Sequence, residues 1–145
     1  MSEEMGKVVQ NKEWYERDEE AKVEYVIRIL DFDKEANMIT RLRLSRIYRP
    51  LGFNLANRVE INYDIHYDGS EITVSLSKFN YSWNGTGTET VGIIKVKEGY
   101  VQEDPWFVDP EEIDDTVKRL GVSETCKLIL DCIKDLADYY LTWEE

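Results

Sequence analysis

The alternation of apolar and polar residues over 59–67, "VEINYDIHY", constrains the fold most strongly. Every second side chain is apolar and the intervening ones are polar, which is the period of a β-strand with one buried face. The segment "DGS" (68–70) follows at once and is a strong hairpin signal. The sequence therefore predicts antiparallel strands that turn one face towards a core.

Four further segments have strand patterns, and loop or turn signals lie between them: 23–30, 38–48, 71–83 and 90–97. Within 71–83 the apolar positions change from even-numbered to odd-numbered at Ser77–Lys78, which predicts a β-bulge that curves the sheet. Residues 1–22 are polar and are expected to form an arm or a short helix. The strands together predict a hairpin meander of five or six members.

The pattern changes to helical after Asp109. Asp109 is a favourable N-cap, Pro110 suits the first helical position, and Gly121 is a typical stop, so a short helix is expected over 110–120. Ser123 is expected to cap a longer helix over 123–141. Strands followed by helices predict a single α+β domain over 23–145, with an antiparallel sheet packed against the long C-terminal helix.

Charge limits the classes of partner that suit the chain. Its 30 acidic and 18 basic residues give a formal net charge of −12, which repels nucleic acid and anionic membranes and favours a basic partner protein. No window approaches the ~20 apolar residues of a membrane span. The first residues lack the pattern of a secretory signal, so a cytoplasmic location is expected.

Residues that carry catalysis or bind metals are sparse. His66 is the only histidine, which leaves no histidine triad or multi-histidine metal site within one chain. "DFDKEAN" (31–37) alternates acidic residues as calcium loops do, but Ala36 and Leu42 stand where glycine and a bidentate glutamate belong. Cys126 and Cys132 are expected to be reduced residues of one helix. We therefore expect no enzymatic activity, no cofactor and no metal.

Basic residues are concentrated between positions 36 and 59, where acidic residues are absent. Arginine binds phosphate and carboxylate groups well, so this segment is a candidate anion patch and the only expected route to direct nucleic-acid binding. The alternative is pairing across strands with Glu24, Glu60 or Asp64. The arginines concerned are Arg41, Arg43, Arg46, Arg49 and Arg58.

Three acidic segments, 14–20, 103–115 and 143–145, contain aromatic residues, as the surfaces that bind basic proteins do. They predict a small non-enzymatic interaction protein, such as an inhibitor, an immunity-type protein or an accessory protein, with a larger basic partner. The alternative is that the aromatic residues pack inside the domain. The candidate partner-binding residues are Trp14, Tyr15, Glu103, Asp104, Trp106 and Phe107.

A second functional hypothesis is a domain that binds a small or hydrophobic ligand between the curved sheet and the long helix. Five aromatic residues of the best strands are the candidate lining, unless they only fill the core. These residues are Tyr63, Tyr67, Phe79, Tyr81 and Trp83. The sequence leaves the oligomeric state open.

Overall fold

The computed structural model describes residues 12–53, 57–81, 87–95 and 104–136. It has the α+β fold that the sequence predicts, with an antiparallel sheet followed by two helices. The six strands lie in the sheet in chain order, and each pairs with the next, so the meander is confirmed. Two strands, β1 and β6, form the edges of this sheet.

The strands are β1 (Glu13–Asp18), β2 (Val23–Asp33), β3 (Met38–Tyr48), β4 (Arg58–Tyr67), β5 (Ile72–Tyr81) and β6 (Gly87–Lys95). A 3₁₀ turn (Trp106–Val108) leads into helices α1 (Pro110–Leu120) and α2 (Val122–Leu136). The bounds of β3 and α1 are those expected from the sequence. Asp109 caps α1 by accepting a hydrogen bond from the Glu111 amide at 3.0 Å. Residues 137–141 of the expected longer helix lie outside the described residues.

The expectation of an arm or short helix before residue 23 is wrong for residues 13–18. They form the edge strand β1, which pairs antiparallel with β2. Trp14 is the only apolar residue on the face that β1 turns towards the helices, since Glu16 and Asp18 share that face. One apolar residue gives no visible alternation, so pairing with β2, rather than the local pattern, makes this segment a strand.

The β-bulge expected at Ser77–Lys78 is also absent. The pairing of β4 with β5 runs without a register shift from Tyr67 opposite Ile72 to Arg58 opposite Tyr81. The change from even to odd apolar positions instead marks a change of face, because residues in an unbroken strand alternate between the two sides. The irregularity in the described sheet lies in β2, on either side of Asp31.

The core lies between the helices and one face of the sheet, here called the helix face. Opposed residues on neighbouring strands form its rows, such as Ile27, Leu44 and Tyr63. All three are fully buried. Helix α2 contributes Cys126, Ile129, Leu130 and Ile133 to the same core. The opposite side of the sheet, here called the second face, carries the alternate residues.

Two long-range hydrogen bonds hold β1 to the helices. The indole Nε1 of Trp14 donates to Asp114 Oδ1 at 3.0 Å, and the Val122 amide donates to Glu16 Oε1 at 3.0 Å. The edge strand is therefore tied to both α1 and α2.

Neither helix, as far as the structure describes it, is long and apolar enough to span a membrane.

Candidate functional site

The two turns at one end of the sheet each depend on an aspartate. Asp33 Oδ1 accepts hydrogen bonds from the Glu35 and Ala36 amides at 3.0 and 3.2 Å. Asp68 Oδ1 accepts from the Ser70 and Glu71 amides at 2.9 and 2.7 Å. The bond from the Glu71 amide, followed by that from Ser70, holds the pKa of Asp68 below its usual value. Asp68 therefore remains ionised while it stabilises its turn.

The two turns lie side by side, although more than thirty residues separate them in the chain. The Met38 methyl lies 3.8 Å from the position that a β-carbon on Gly69 would occupy. Gly69 has a φ of 102°, a conformation that a residue with a β-carbon rarely adopts. This glycine therefore serves both the tight turn and the contact between the two hairpins.

A third segment reaches the same end of the sheet through Asp104. The Tyr67 hydroxyl donates to Asp104 Oδ1 at 2.7 Å. Burial of Tyr67, reinforced by the hydrogen bond and the charge of Asp104, raises the pKa of the phenol to about 12. Tyr67 thus remains a hydrogen-bond donor at neutral pH and fixes the exposed carboxylate of Asp104 at this end of the sheet.

Six carboxylates from these three segments form what we call the acidic end. The described basic residues at the same end are Lys34 in the first turn, Arg41 and His66 opposite each other on β3 and β4, and Lys95 at the end of β6. None of the six carboxylates forms an ion pair with a residue in the described ranges, although Arg41 lies opposite Asp31 in the strand register. The members of the acidic end are Asp31, Asp33, Glu35, Asp68, Glu71 and Asp104.

The candidate partner-binding residues separate into two groups. Trp14 and Phe107 are only 8% and 1% exposed and belong to the core, so the prediction that they contact a partner is wrong. Asp104 is exposed, and Trp106 is half-buried two residues further along the chain. Tyr15 is 50% exposed but lies on the second face of β1. Glu103 lies outside the described residues.

The arginines between positions 36 and 59 do not form a single patch. Arg46 lies on the helix face opposite Ile61, whereas Arg43 lies on the second face opposite Asp64. The Arg43 Nε donates to Asp64 Oδ1 at 2.6 Å, and the Arg58 Nε donates to Glu60 Oε2 at 3.2 Å. The prediction of one anion patch is therefore wrong, since Arg46 lies on the other face and ion pairs across and along the strands occupy Arg43 and Arg58.

The ion-pair partner of Arg49 is Glu24, which is more buried than the partners of Arg43 and Arg58. The Arg49 Nε and the Tyr15 hydroxyl both donate to the carboxylate of Glu24. Burial alone would raise the pKa of Glu24, but these two hydrogen bonds and the arginine charge outweigh it and lower the pKa. Arg41 is exposed on the second face and forms no ion pair with a described residue.

The candidate cavity aromatics lie on opposite sides of the sheet. Tyr63 and Tyr67 are buried in the core on the helix face. Phe79 and Tyr81 stack on each other at 5.7 Å on the second face, where Arg58 lies 4.0 Å from the Tyr81 ring centre. These four side chains cannot line one cavity, so that prediction is wrong. Trp83 lies outside the described residues.

The remaining side chains that could take part in chemistry are those of Cys126 and His66. Cys126 is buried, and burial followed by the nearby charge of Glu16 raises the pKa of its thiol. His66 is exposed opposite Arg41 and Thr73. Across the described ranges, histidine, cysteine and carboxylate side chains form no cluster of three that could hold a metal ion.

No family model, curated protein or solved structure matches the chain. The acidic end therefore has to be interpreted from its own chemistry. Sequence reasoning named Asp104 and Trp106 but treated the segments 31–37 and 68–70 as separate turns. The predicted meander could have shown that these two turns meet, because the turns of alternate hairpins in such a sheet lie at the same end.

Proposed function

We propose that the protein is a small non-enzymatic interaction protein that binds a basic surface of a larger protein through its acidic end. The observation that carries the proposal is the arrival of six carboxylates from three chain segments at one end of the sheet, none of which forms an ion pair with a described residue. An inhibitor, an immunity-type protein or an accessory protein would use such a surface.

Electrostatics supports a basic partner rather than an acidic one. The whole chain has a formal net charge of −12, so its long-range field attracts positive surfaces and accelerates their encounter. The hydrogen bonds from backbone amides to Asp33 and Asp68 hold these two carboxylates in place before binding. A preformed arrangement reduces the entropy lost when a partner binds. Half-buried Trp106, two residues after Asp104 in the chain, is a candidate for an anchor.

The test compares two variants that lose the same amount of charge. Asp31→Asn/Glu35→Gln/Glu71→Gln removes three carboxylates of the acidic end, none of which caps a turn. Asp115→Asn/Glu124→Gln/Asp131→Asn removes three exposed carboxylates from the helices. Each protein is immobilised and exposed to a lysate of the source cells at low salt, and bound proteins are eluted with increasing NaCl.

We expect the wild type and the helix variant to retain the same basic protein and the acidic-end variant to lose it. Titration of that purified protein should then give at least about tenfold weaker binding by the acidic-end variant, since each lost charge pair contributes a few tenths to 1 kcal/mol. Equal retention by all three proteins, or no retained basic protein, would contradict the proposal.

A further inference from the structure

The edge strand β1 has an outer row of backbone groups that no residue in the described ranges pairs with. The Ile29 amide donates to the Lys12 carbonyl at 2.9 Å, which places Lys12 and Ile29 in a hydrogen-bonded antiparallel pair. Because this pairing alternates along a strand, Trp14, Glu16 and Asp18 also direct their amides and carbonyls to β2. Glu13, Tyr15 and Arg17 therefore direct theirs to the outer edge, where no described residue pairs with them.

The side chains at this edge do not block a further strand. β1 has no proline, and its pairing with β2 has no register shift. Tyr15 is 50% exposed, and the side chains of Glu13 and Arg17 are both 42% exposed. Charged side chains normally protect an edge strand from pairing, but they do so only when they repel the incoming strand.

We propose that β1 pairs antiparallel with β1 of a second copy of the chain, about a twofold axis at Tyr15, to form a continuous sheet across a homodimer. In this register Glu13 lies opposite Arg17 of the second copy, and Lys12 lies opposite Asp18 of the second copy. The segment "KEWYERD" (12–18) is thus complementary in charge to its own reverse. Opposite charges placed directly across strands stabilise the pairing.

Backbone geometry selects the same register. Glu13, Tyr15 and Arg17 all direct their amides outwards, so centring on Tyr15 forms three residue pairs and about six backbone hydrogen bonds. A shift by two residues removes one of these pairs and separates Glu13 from Arg17. A shift by one residue would place Glu13, Tyr15 and Arg17 opposite residues of the second copy whose amides already bond to β2. Charge and hydrogen bonding therefore favour one arrangement.

The twofold axis places the helices of both copies on the same side of the extended sheet. Gly121 lies against Glu16, since the carboxylate oxygen is 2.7 Å from the position of a β-carbon there. Leu120, the preceding residue, is 47% exposed. Glu13 already pairs with Arg28 at 2.8 Å, so in the dimer its carboxylate would bridge two arginines.

Charge reversal with complementation tests the register. Glu13→Arg places a second arginine opposite Arg17, and Arg17→Glu places a second glutamate opposite Glu13, so each single variant repels its own copy. Sedimentation equilibrium should show the 17.1 kDa chain dimerising, with self-association about 10- to 30-fold weaker in each variant. An equal mixture of the two variants should recover the dimer, because both facing pairs then carry opposite charges. The double variant Glu13→Arg/Arg17→Glu should recover it as well.

A backbone variant tests the hydrogen bonds separately from the charges. Tyr15→Pro removes an amide that does not bond to β2, so the monomer should keep its fold by circular dichroism while dimerisation is lost. Tyr15→Phe removes the hydroxyl but keeps the amide, and it should still dimerise. A wild type that stays monomeric up to about 1 mM would overturn the proposal. So would a dimer that is unaffected by both single charge reversals.

Discussion

At the scale of single residues, the contact between Trp14 and Asp114 connects the edge strand to α1. The carboxylate of Asp114 accepts from the Trp14 indole at 3.0 Å and pairs with Lys118 at 2.9 Å and Lys12 at 3.7 Å. The hydrogen bond from Trp14, followed by that from Lys118, lowers the pKa of Asp114 to about 2. Two donors, Trp14 and Lys118, together with the charge of Lys12, thus favour the ionised form.

This lowered pKa predicts a pH-dependent contribution to stability. A carboxyl group whose pKa is lower in the folded state stabilises the fold above its ordinary pKa and loses that effect as the pH falls. Asp114→Asn should therefore be less stable than the wild type at neutral pH, and the difference should shrink as the pH falls from about 4 to about 2. Urea unfolding over a pH series measures this difference.

Asp115→Asn is the matched control, because Asp115 contacts only Arg119, at 3.7 Å, in the described structure and has no indole partner. Its effect on the free energy of unfolding should be small at every pH. A difference between Asp114→Asn and the wild type that stays constant down to about pH 2 would contradict the interpretation.

At the scale of elements, the start of α2 shows how a distant strand completes a helix. The sequence predicts a cap at Ser123, yet α2 begins at Val122, whose amide donates to Glu16 of β1 at 3.0 Å. Glu16 is 106 residues away in the chain. Its negative charge also suits the positive end of the helix dipole. One side chain therefore serves as a cap and as the attachment of the edge strand.

Removing that side chain should weaken both functions. Glu16→Ala is expected to lower the free energy of unfolding by about 1 to 2 kcal/mol, in the range measured for lost helix caps. Glu16→Gln should lose less, because the amide oxygen can still accept from Val122. Glu20→Ala, at an exposed turn position, is the control and should change stability little. Denaturant unfolding of the four proteins provides the comparison, and equal losses for Glu16→Ala and Glu20→Ala would count against the cap.

At the scale of the whole molecule, the acidic residues outnumber the basic residues that could neutralise them. The chain has 30 acidic and 18 basic residues, and the acidic end brings six carboxylates to one end of the sheet. The ion pairs of the described surface are mostly exposed, such as Arg17 with Glu19 and Arg119 with Asp115, and contribute little. Repulsion between acidic groups should therefore be the larger electrostatic effect.

This balance predicts that salt stabilises the fold. Raising NaCl from about 10 mM to about 0.5 M shortens the screening length several-fold, so the Tm should rise by a few degrees. NaCl is preferable to sulfate, which strengthens apolar burial whatever the charge. The acidic-end variant Asp31→Asn/Glu35→Gln/Glu71→Gln should show a smaller rise, as measured by calorimetry. A Tm that falls with NaCl would show that attractive pairs dominate instead.

Local sequence patterns determined the middle strands and the first helix. Strict alternation predicted β4, and the Asp109 cap with the Gly121 stop predicted both ends of α1. These signals succeed because strand faces and helix caps depend on residues only a few positions apart. The same local reasoning identified Asp104 and the acidic turns, which are parts of the candidate site.

Tertiary structure alone decided which distant residues meet. It made residues 13–18 a strand through pairing with β2, capped α2 with Glu16, and placed Tyr81 on the opposite face from Tyr63. The predicted meander already implied that the turns of Asp33 and Asp68 meet at one end of the sheet, and the tertiary structure decided that Asp104 joins them. The physical reason is that an edge strand, a distant cap and a shared surface are each stabilised by a partner far along the chain, and no pattern within the segment records that partner.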